Sequence, residues 1–384
     1  MRIFSILRNR IRFDRNELSG AFGDIGTDLP LILGIISATN VNIASTFTMF
    51  GIMQMITGLI YGIPMAVQPL KAMAVIVLSQ KVNAEILYGG GLSVGIIMLL
   101  LTISGLLNLL AKIIPKPAIR GVQAGLGISL ATVSINKYII SNNTADIALS
   151  IVAIVVIILL FRNRKYPASL IVIGMGLLYA SIFNIDYQKI SSGVALHLPT
   201  FHTITLDNII DGLILLALPQ IPLSLSNSVI ATQKTIEDLF PERRVDIRKI
   251  GLTYSLMNLI NPFFAGIPTC HGTGGLVGQY TFGARTGGSV IIYGSMYLII
   301  GLFFSDVATE LIKIFPFSVL GPILLFEGVG LILLIKDMLL KESDLFITVF
   351  VAIVSANIKN GYLIGLVAGT IIWYLFYIRE KNKK

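Results

Sequence analysis

Charge and cysteine are both scarce in this 384-residue sequence. Only 13% of the residues are charged, about half of the roughly 25% that is usual in a soluble domain. The single cysteine, Cys270, excludes an internal disulfide bond and a thiolate cluster for a metal ion. The chain has neither a Gly-x-x-x-x-Gly-Lys phosphate loop nor a His-Glu-x-x-His motif. We therefore predict no cofactor and no metal site, and we do not expect ATP to drive the protein directly.

Apolar residues, by contrast, are abundant. They make up 55% of the chain, and the mean hydropathy is +0.84. A membrane-spanning helix needs about 20 mostly apolar residues, so the sequence predicts an all-α polytopic membrane protein embedded in a lipid bilayer. Hydropathy and helix-breaking residues mark fourteen segments, near 18–38, 43–61, 64–79, 86–110, 117–137, 147–161, 168–184, 208–232, 249–265, 268–284, 288–306, 316–335, 344–357 and 361–378.

The distribution of lysine and arginine supports this segmentation. With a cytoplasmic N-terminus, 23 of the 29 basic residues fall at cytoplasmic ends and loops, and five fall on the opposite side. This bias follows the positive-inside rule, and a miscounted span would reverse the sides after it. The net charge of +9 is therefore explained by the cell membrane, with both termini cytoplasmic, and not by nucleic acid.

Fourteen segments with both ends on one side divide into two sets of seven with opposite topology. The predicted divisions are a cytoplasmic lead-in (1–17), a first seven-segment repeat (18–184), an extracytoplasmic loop (185–207), a second seven-segment repeat (208–378) that includes a cytoplasmic linker (233–248), and a cytoplasmic tail (379–384).

Two sequence matches support inverted repeats. Gly62-Ile63-Pro64 recurs as Gly266-Ile267-Pro268, an offset of 204 residues, and "IIPKP" at Pro115 recurs as "KIFPF" at Pro316, an offset of 201. Each match uses common residues, but both lie at segment starts and have nearly the same offset. In transporters built this way, interrupted segments at corresponding places in the two halves indicate a midplane binding site. Segments three and ten form that pair.

Lys71 is the one basic residue left inside a predicted segment. A lysine at membrane depth costs at least about 2.5–3.5 kcal/mol and by default marks a functional site. The alternative is a lysine that snorkels to the membrane interface. Because Lys71 lies seven residues after Pro64, we expect it to be too deep for that.

Segments three and ten are both predicted to contain a half-helix. In "VQPLKAMAVIVL" and "HGTGGLVGQY" a helical run follows a break, so N–H groups at the helix start point into the protein with a positive partial charge. Glycines 272, 274 and 275 with Thr273 would let an oxyanion approach these donors closely. Together with Lys71 the site would suit a small dianion. The alternative for the glycines is close helix packing.

Three carboxylates fall within predicted spans. Asp24 and Asp28 are four residues apart, so they share a helix face, and either could carry a coupling proton or be a structural pair. Glu327, in the second half, is the third proton-coupling candidate, with a structural or gating role as the alternative.

The remaining candidates are neutral. His271 could donate to an anion or titrate, or be a core histidine with a satisfied ring. Gln68, Gln220 and Asn227 could hydrogen-bond substrate oxygens or join helices. Thr27 is a further candidate for substrate contact.

Four blocks of the sequence resemble signature blocks of the molybdate transporter family: "SGAFGDIGTDLPLILG", "GIPMAVQPLKAMA", "PQIPLSLSNSVIA" and "GIPTCHGTGGLVGQYTFGAR". That family is a branch of the sulfate permease superfamily, whose fold is shared with uracil and xanthine permeases. The branch lacks the C-terminal regulatory domain of sulfate permeases, which fits a chain ending just after the last predicted span. Asp28 and Thr273 depart from the expected pattern, where a neutral residue and an alanine are common.

The resemblance implies a core domain of segments 1–4 and 8–11 and a gate domain of segments 5–7 and 12–14. It also implies an anion held between the half-helices, an elevator-type movement and a homodimer. The leading hypothesis is therefore a proton-coupled secondary transporter, not an enzyme, with molybdate as the substrate. The alternatives are a sulfate transporter and an anion channel of the same fold. A nucleobase permease is disfavoured by Lys71, since a carboxylate would be its expected substrate contact.

Overall fold

The computed structural model describes residues 10–107, 109, 113–140, 144–160, 168–183, 194–314, 316–358 and 360–381. Sixteen longer helices, two short 3-10 helices (Phe22–Asp24 and Asn261–Phe264) and two short strands lie within them. The strands are β1 (Val67–Pro69) and β2 (Thr269–His271). The helices are α1 (Arg15–Ala21), α2 (Ile25–Thr39), α3 (Ile43–Tyr61), α4 (Lys71–Gln80), α5 (Ala84–Ile103), α6 (Lys116–Ile139), α7 (Thr144–Leu159), α8 (Ala168–Phe183), α9 (Leu206–Leu239), α10 (Ile247–Ile260), α11 (Thr273–Thr281), α12 (Gly288–Phe303), α13 (Ser305–Ile314), α14 (Phe317–Met338), α15 (Glu342–Asn357) and α16 (Gly361–Lys381).

Each of the fourteen predicted segments overlaps at least one of these helices. Two features were not predicted: helix α13, and the strands that precede the half-helices α4 and α11. By length and composition, six of the described helices can cross a membrane. A seventh is added if the pair Arg15–Asp24 and Thr27–Thr39, bent by 44°, is one span. The other apolar helices are shorter, so the number of crossings stays a prediction.

Helix α9 is irregular where it approaches the half-helices. It contains π-helical stretches at Leu213–Ala217 and Ser224–Ala231. Pro219 and Pro222 lie between them, and a proline inside a helix removes an N–H donor and clashes with the preceding turn. Such π-helical turns often occur at functional sites.

Close helix contacts depend on glycine in both parts of the molecule. Helix α3 packs against α12, where a Cβ on Gly51 would lie 2.5 Å from the carbonyl oxygen of Gly294. Helix α6 packs against α14, where a Cβ on Gly127 would lie 2.5 Å from the carbonyl oxygen of Gly328. Small residues allow this backbone approach in membranes, where packing replaces the hydrophobic effect.

The end of the predicted lead-in is part of the packed structure. Glu17 is 2% exposed, and its carboxylate accepts hydrogen bonds from the backbone N–H groups of Arg285 (2.9 Å), Thr286 (2.9 Å) and Ser289 (3.1 Å). These donors surround the start of α12, where N–H groups have no partner within the helix. Glu17 therefore fixes the first helix against the turn that follows α11.

Some predicted features lie outside the described residues. These are the first part of the lead-in (1–9), much of the loop (185–193) and the end of the tail (382–384). Glu327 lies in α14, but its side chain is also outside the described part.

Candidate anion-binding site

The two half-helices meet through their strands. Strands β1 and β2 pair antiparallel, with Val67 opposite His271, Gln68 opposite Cys270 and Pro69 opposite Thr269. All six residues are buried. Because the polar backbone of each strand is satisfied by the other, non-helical chain is tolerated deep in the protein.

Two amide side chains hold the strands in place. Gln54 on α3 donates to the carbonyl oxygen of Val67 (2.8 Å) and accepts from the Val67 N–H (3.1 Å). Asn258 on α10 makes the same pair of contacts with Thr269, donating to its carbonyl oxygen (2.6 Å) and accepting from its N–H (3.0 Å). Gln54 and Asn258 are 204 residues apart, the same offset as the Gly-Ile-Pro sequences.

The N-terminus of α4 is closed by a side chain from α9. The Oε1 atom of Gln220 accepts from the backbone N–H groups of Ala72 (3.0 Å) and Met73 (3.3 Å). Its Nε2 atom donates to Ser224 Oγ at 3.0 Å. Gln220 therefore caps the helix. The sequence predicted that the first N–H groups of α4 would face the anion, but those of Ala72 and Met73 are bonded to Gln220 instead.

The N-terminus of α11 is open. No described side chain accepts from the N–H groups of Thr273, Gly274 or Gly275, which occupy the first turn, where helical partners are missing. The Thr273 hydroxyl lies aside, donating to the carbonyl oxygen of Asn227 (2.8 Å) and contacting Thr232 Oγ1 (2.8 Å). The open turn provides donors and positive partial charge for an anion.

The glycines of α11 serve two purposes. A Cβ on Gly272 would lie 1.9 Å from Gln68 Oε1, and a Cβ on Gly275 would lie 2.1 Å from Asp24 Oδ2, so both leave room for buried polar side chains. A Cβ on Gly274 would meet no atom within 4 Å. Gly274 alone of the three has open space beside it.

A buried polar cluster lies behind the strands. Asp24 Oδ1 accepts from Gln68 Nε2 at 2.7 Å. Asp24 is 2% exposed and Asp28 is 0% exposed. Asp28 interacts electrostatically with both Asp24 and Lys71. Two buried carboxylates therefore interact with one ammonium group, that of Lys71, which is partly buried and also lines the cavity.

A cavity of about 390 Å³ lies in front of this cluster. It brings together eight of the predicted residues and leaves out Thr27, Gly275, Asp24 and Asp28. Its described lining consists of Gln68, Lys71, Arg120, Leu126, Gln220, Leu223, Asn227, Ser228, Cys270, His271, Gly272, Thr273, Gly274, Gly330, Leu331 and Leu334.

The imidazole of His271 is held within the core. Its Nε2 atom pairs with Thr253 Oγ1 at 2.7 Å, and its ring lies edge-on to Tyr61, with centroids 5.5 Å apart. The residue is 0% exposed. The Nε2 atom is therefore engaged in the core, but the residue also lines the cavity, so its role stays a prediction.

Arg120 was not among the predicted site residues. The positive-inside rule assigned it to a cytoplasmic end of a segment, but that rule does not show in which direction a long side chain points. The available signal was its position in the second turn of an amphipathic helix, where the helix face determines what the side chain contacts.

Comparison with known proteins gives the family. Residues 16–130 and 212–331 match the family described as "Molybdate transporter of MFS superfamily". The chain belongs to this molybdate transporter family. It is therefore a multi-pass membrane transporter and not an enzyme, as predicted from the resemblance.

Individual relatives of the molybdate transporter family agree over nearly the whole chain. Molybdate transporter 2 of Arabidopsis thaliana is 33% identical, over 97% of this chain and 90% of the relative. Molybdate transporter 1 of Arabidopsis thaliana is 31% identical, over 96% and 89%.

Solved structures show the fold at low sequence identity. The transmembrane domain of a cyanobacterium bicarbonate transporter, BicA, has a TM-score of 0.70 at 16% identity, over 94% of this chain and 98% of that one. The murine anion transporter Slc26a9 in the inward-facing state has a TM-score of 0.74 at 13% identity, over 98% and 72%. The predicted sulfate permease-like fold is confirmed.

Proposed function

We propose that the protein transports molybdate, with sulfate as a competing dianion, and that it binds the anion in the cavity between α4 and α11. The observation that carries the proposal is the open N-terminus of α11 facing the same cavity as Lys71. Backbone donors and a lysine favour an anion of either kind. The names of the relatives favour molybdate.

The shape of the site also supports an oxyanion. A tetrahedral oxyanion presents several hydrogen-bond acceptors and no donors. It therefore suits the N–H groups of successive residues better than a flat nucleobase does. Gly274 leaves the approach to those groups open, and a substrate with its own N–H donors would find fewer acceptors on this side of the cavity. Gln220 is engaged at both ends of its amide and Gln68 is engaged through its Nε2 atom.

We further propose that protons on Asp24 and Asp28 are coupled to anion binding. If both carboxylates are ionised, they outnumber the single ammonium of Lys71, and a dianion is repelled. A proton taken up by the pair removes one negative charge and so favours the dianion. Symport of anion and proton follows from this linkage. Glu327 stays a candidate from the sequence alone.

An elevator movement is supported by how the site is assembled. Strands β1 and β2, with the amides Gln54 and Asn258, tie the two half-helices into one unit. Helices α6 and α14 complete the cavity from a different group of helices. Gln54 and Asn258 lie 204 residues apart and bond the first residue of β1 and of β2 in the same way, which supports inverted repeats. The homodimer and the cytoplasmic position of both termini stay predictions.

The test is uptake of labelled molybdate into proteoliposomes with an imposed pH gradient and sulfate as competitor. Lys71→Ala should weaken molybdate binding about tenfold or more, since a hydrogen bond to a charged group contributes about 1.5–3 kcal/mol. Gly274→Val should also block binding, because its side chain would occupy the approach to the α11 donors.

Gly174→Val is the matched control. Gly174 also has no atom within 4 Å of a built Cβ, but it lies in α8, away from the cavity. This variant should transport normally. Near-normal molybdate affinity in folded Lys71→Ala protein would sink the site assignment, and currents that follow the anion gradient with no proton dependence would favour the channel.

A further inference from the structure

The part of the cavity wall formed by α6 and α14 is almost entirely apolar. Leu126 comes from α6, and Gly330, Leu331 and Leu334 come from α14. Arg120 is the only charged side chain among the described lining residues on this part of the wall. A charge placed among leucines must be held by other groups, because the apolar lining does not offset its desolvation.

The guanidinium is anchored in a defined position. Its Nη1 atom donates to Gln123 Oε1 at 2.9 Å, and its Nη2 atom forms an ion pair with Asp337. Lys116 reaches the same carboxylate, with Nζ at 3.2 Å from Oδ2. Two cations therefore share one anion, so Asp337 only partly offsets the charge of the Arg120 guanidinium.

The anchoring leaves hydrogen-bonding capacity. A guanidinium has five N–H donors in a rigid plane, which suits oxyanions. The contacts with Gln123 and Asp337 account for one N–H on each Nη atom, so a second N–H on each is left for another acceptor, whereas Nε is buried. The side chain as a whole is 18% exposed, so it is reached from the cavity without being free in solvent.

We propose that Arg120 is a second cationic contact for the transported anion, and that it makes the site prefer dianions over monoanions of the same shape. The proposal rests on the proposed function. Lys71 has its charge offset by Asp24 and Asp28, so a dianion in the cavity needs a further positive group. Arg120 supplies it from the α6–α14 side.

The test is equilibrium binding to the purified full-length protein with three probes. Molybdate and sulfate are tetrahedral dianions of different size, and perrhenate is a tetrahedral monoanion close to molybdate in shape. Arg120→Gln should weaken molybdate and sulfate binding about tenfold and perrhenate binding only about threefold, because Coulomb energy scales with the charge of the ligand and a monoanion loses half the free energy. Arg120→Lys should keep most of the dianion preference.

Lys116→Gln is the matched control. It removes the same charge from the same carboxylate, but Lys116 is 60% exposed and does not line the cavity. It should leave the ratio of molybdate to perrhenate affinity nearly unchanged. Arg120→Met, which keeps the aliphatic stem, is the second neutral variant if Arg120→Gln does not fold.

Equal losses for all three probes, equal losses in Lys116→Gln, or no loss in either neutral variant would overturn the proposal. The two proposals fail differently. If molybdate binding depends on Lys71 but not on Arg120, only the role of Arg120 is lost. If wild-type protein binds none of the probes, the proposed function itself is lost.

Discussion

Helices α4 and α11 are preceded by similar chain segments but present different groups at their N-termini. Each follows a Gly-Ile-Pro sequence and a three-residue strand, and the strands pair with one another. Yet α4 has its first N–H groups capped by Gln220 and carries Lys71 at its start, whereas α11 is uncapped and starts with Thr273 and two glycines. One half contributes a side-chain charge and the other contributes backbone dipoles.

The two half-helices are also complementary in side-chain size. The strands and half-helices of the two halves correspond at an offset of 202 residues, so Cys270 corresponds to Gln68 and Thr273 corresponds to Lys71. Gly272 leaves the space that Gln68 fills, and Gly275 leaves the space that Asp24 fills. A repeated backbone can therefore hold a single asymmetric site, because small residues in one copy accept polar side chains from the other.

The largest effect is expected from filling the space at Gly275. Gly275→Ala would bring its Cβ to 2.1 Å from Asp24 Oδ2 and 2.6 Å from Ala66 Cβ. Overpacking costs typically 1–3 kcal/mol, so we expect a lower thermal midpoint and a poor yield of folded protein. Gly274→Ala is the control, and its midpoint should match wild type. Equal midpoints for both variants would show that the fit between the half-helices is not tight.

The next effect concerns the carboxylate that contacts both halves of the site. Asp24 accepts from Gln68 of β1 and lies against Gly275 of α11. Asp24→Asn keeps the shape and an acceptor oxygen but cannot take up a coupling proton. We expect accumulation driven by a pH gradient to be lost while anion exchange persists. Accumulation with unchanged pH dependence would move the coupling role to Asp28 or Glu327.

A smaller effect is expected at the cap of α4. Gln220→Glu keeps an acceptor for the N–H groups of Ala72 and Met73 and adds a negative charge that the helix dipole favours but that repels an anion in the cavity. Because Gln220 is 2% exposed, burying the charge has a desolvation cost, so we expect a thermal midpoint slightly below wild type with molybdate affinity reduced several-fold. Gln220→Leu should lower stability more, because the N–H groups of Ala72 and Met73 lose their acceptor, at about 1–3 kcal/mol, and should reduce molybdate affinity less. Matching behaviour of the two variants would contradict the cap.

The positions of the half-helices were predictable, but the partners of their ends were not. Hydropathy located the breaks in the helices. Lys71, the one basic residue inside a predicted span, and the glycines of segment ten indicated the position of the cavity. Gln220 lies 148 residues from Ala72, and no local pattern shows which amide reaches a helix end across that distance. Arg120 was hidden for a related reason, since a basic residue near a helix start fits the membrane interface equally well.

The smallest effect on transport, and the sharpest test of the comparison, comes from labelling the far ends of the half-helices. If the repeats are inverted, α4 and α11 enter the protein from opposite sides of the membrane. Lys81 follows α4 and Arg285 follows α11, and both are exposed. The native Cys270 is buried, so a cysteine placed at either position should be the main target of a membrane-impermeant maleimide. Lys81→Cys should react from outside intact cells and Arg285→Cys only after the membrane is opened, with transport near normal in both. Antiparallel strands should direct the two half-helices to opposite faces of the membrane. Reaction of both cysteines from the same side would contradict the inverted-repeat interpretation, although the strands themselves would remain antiparallel.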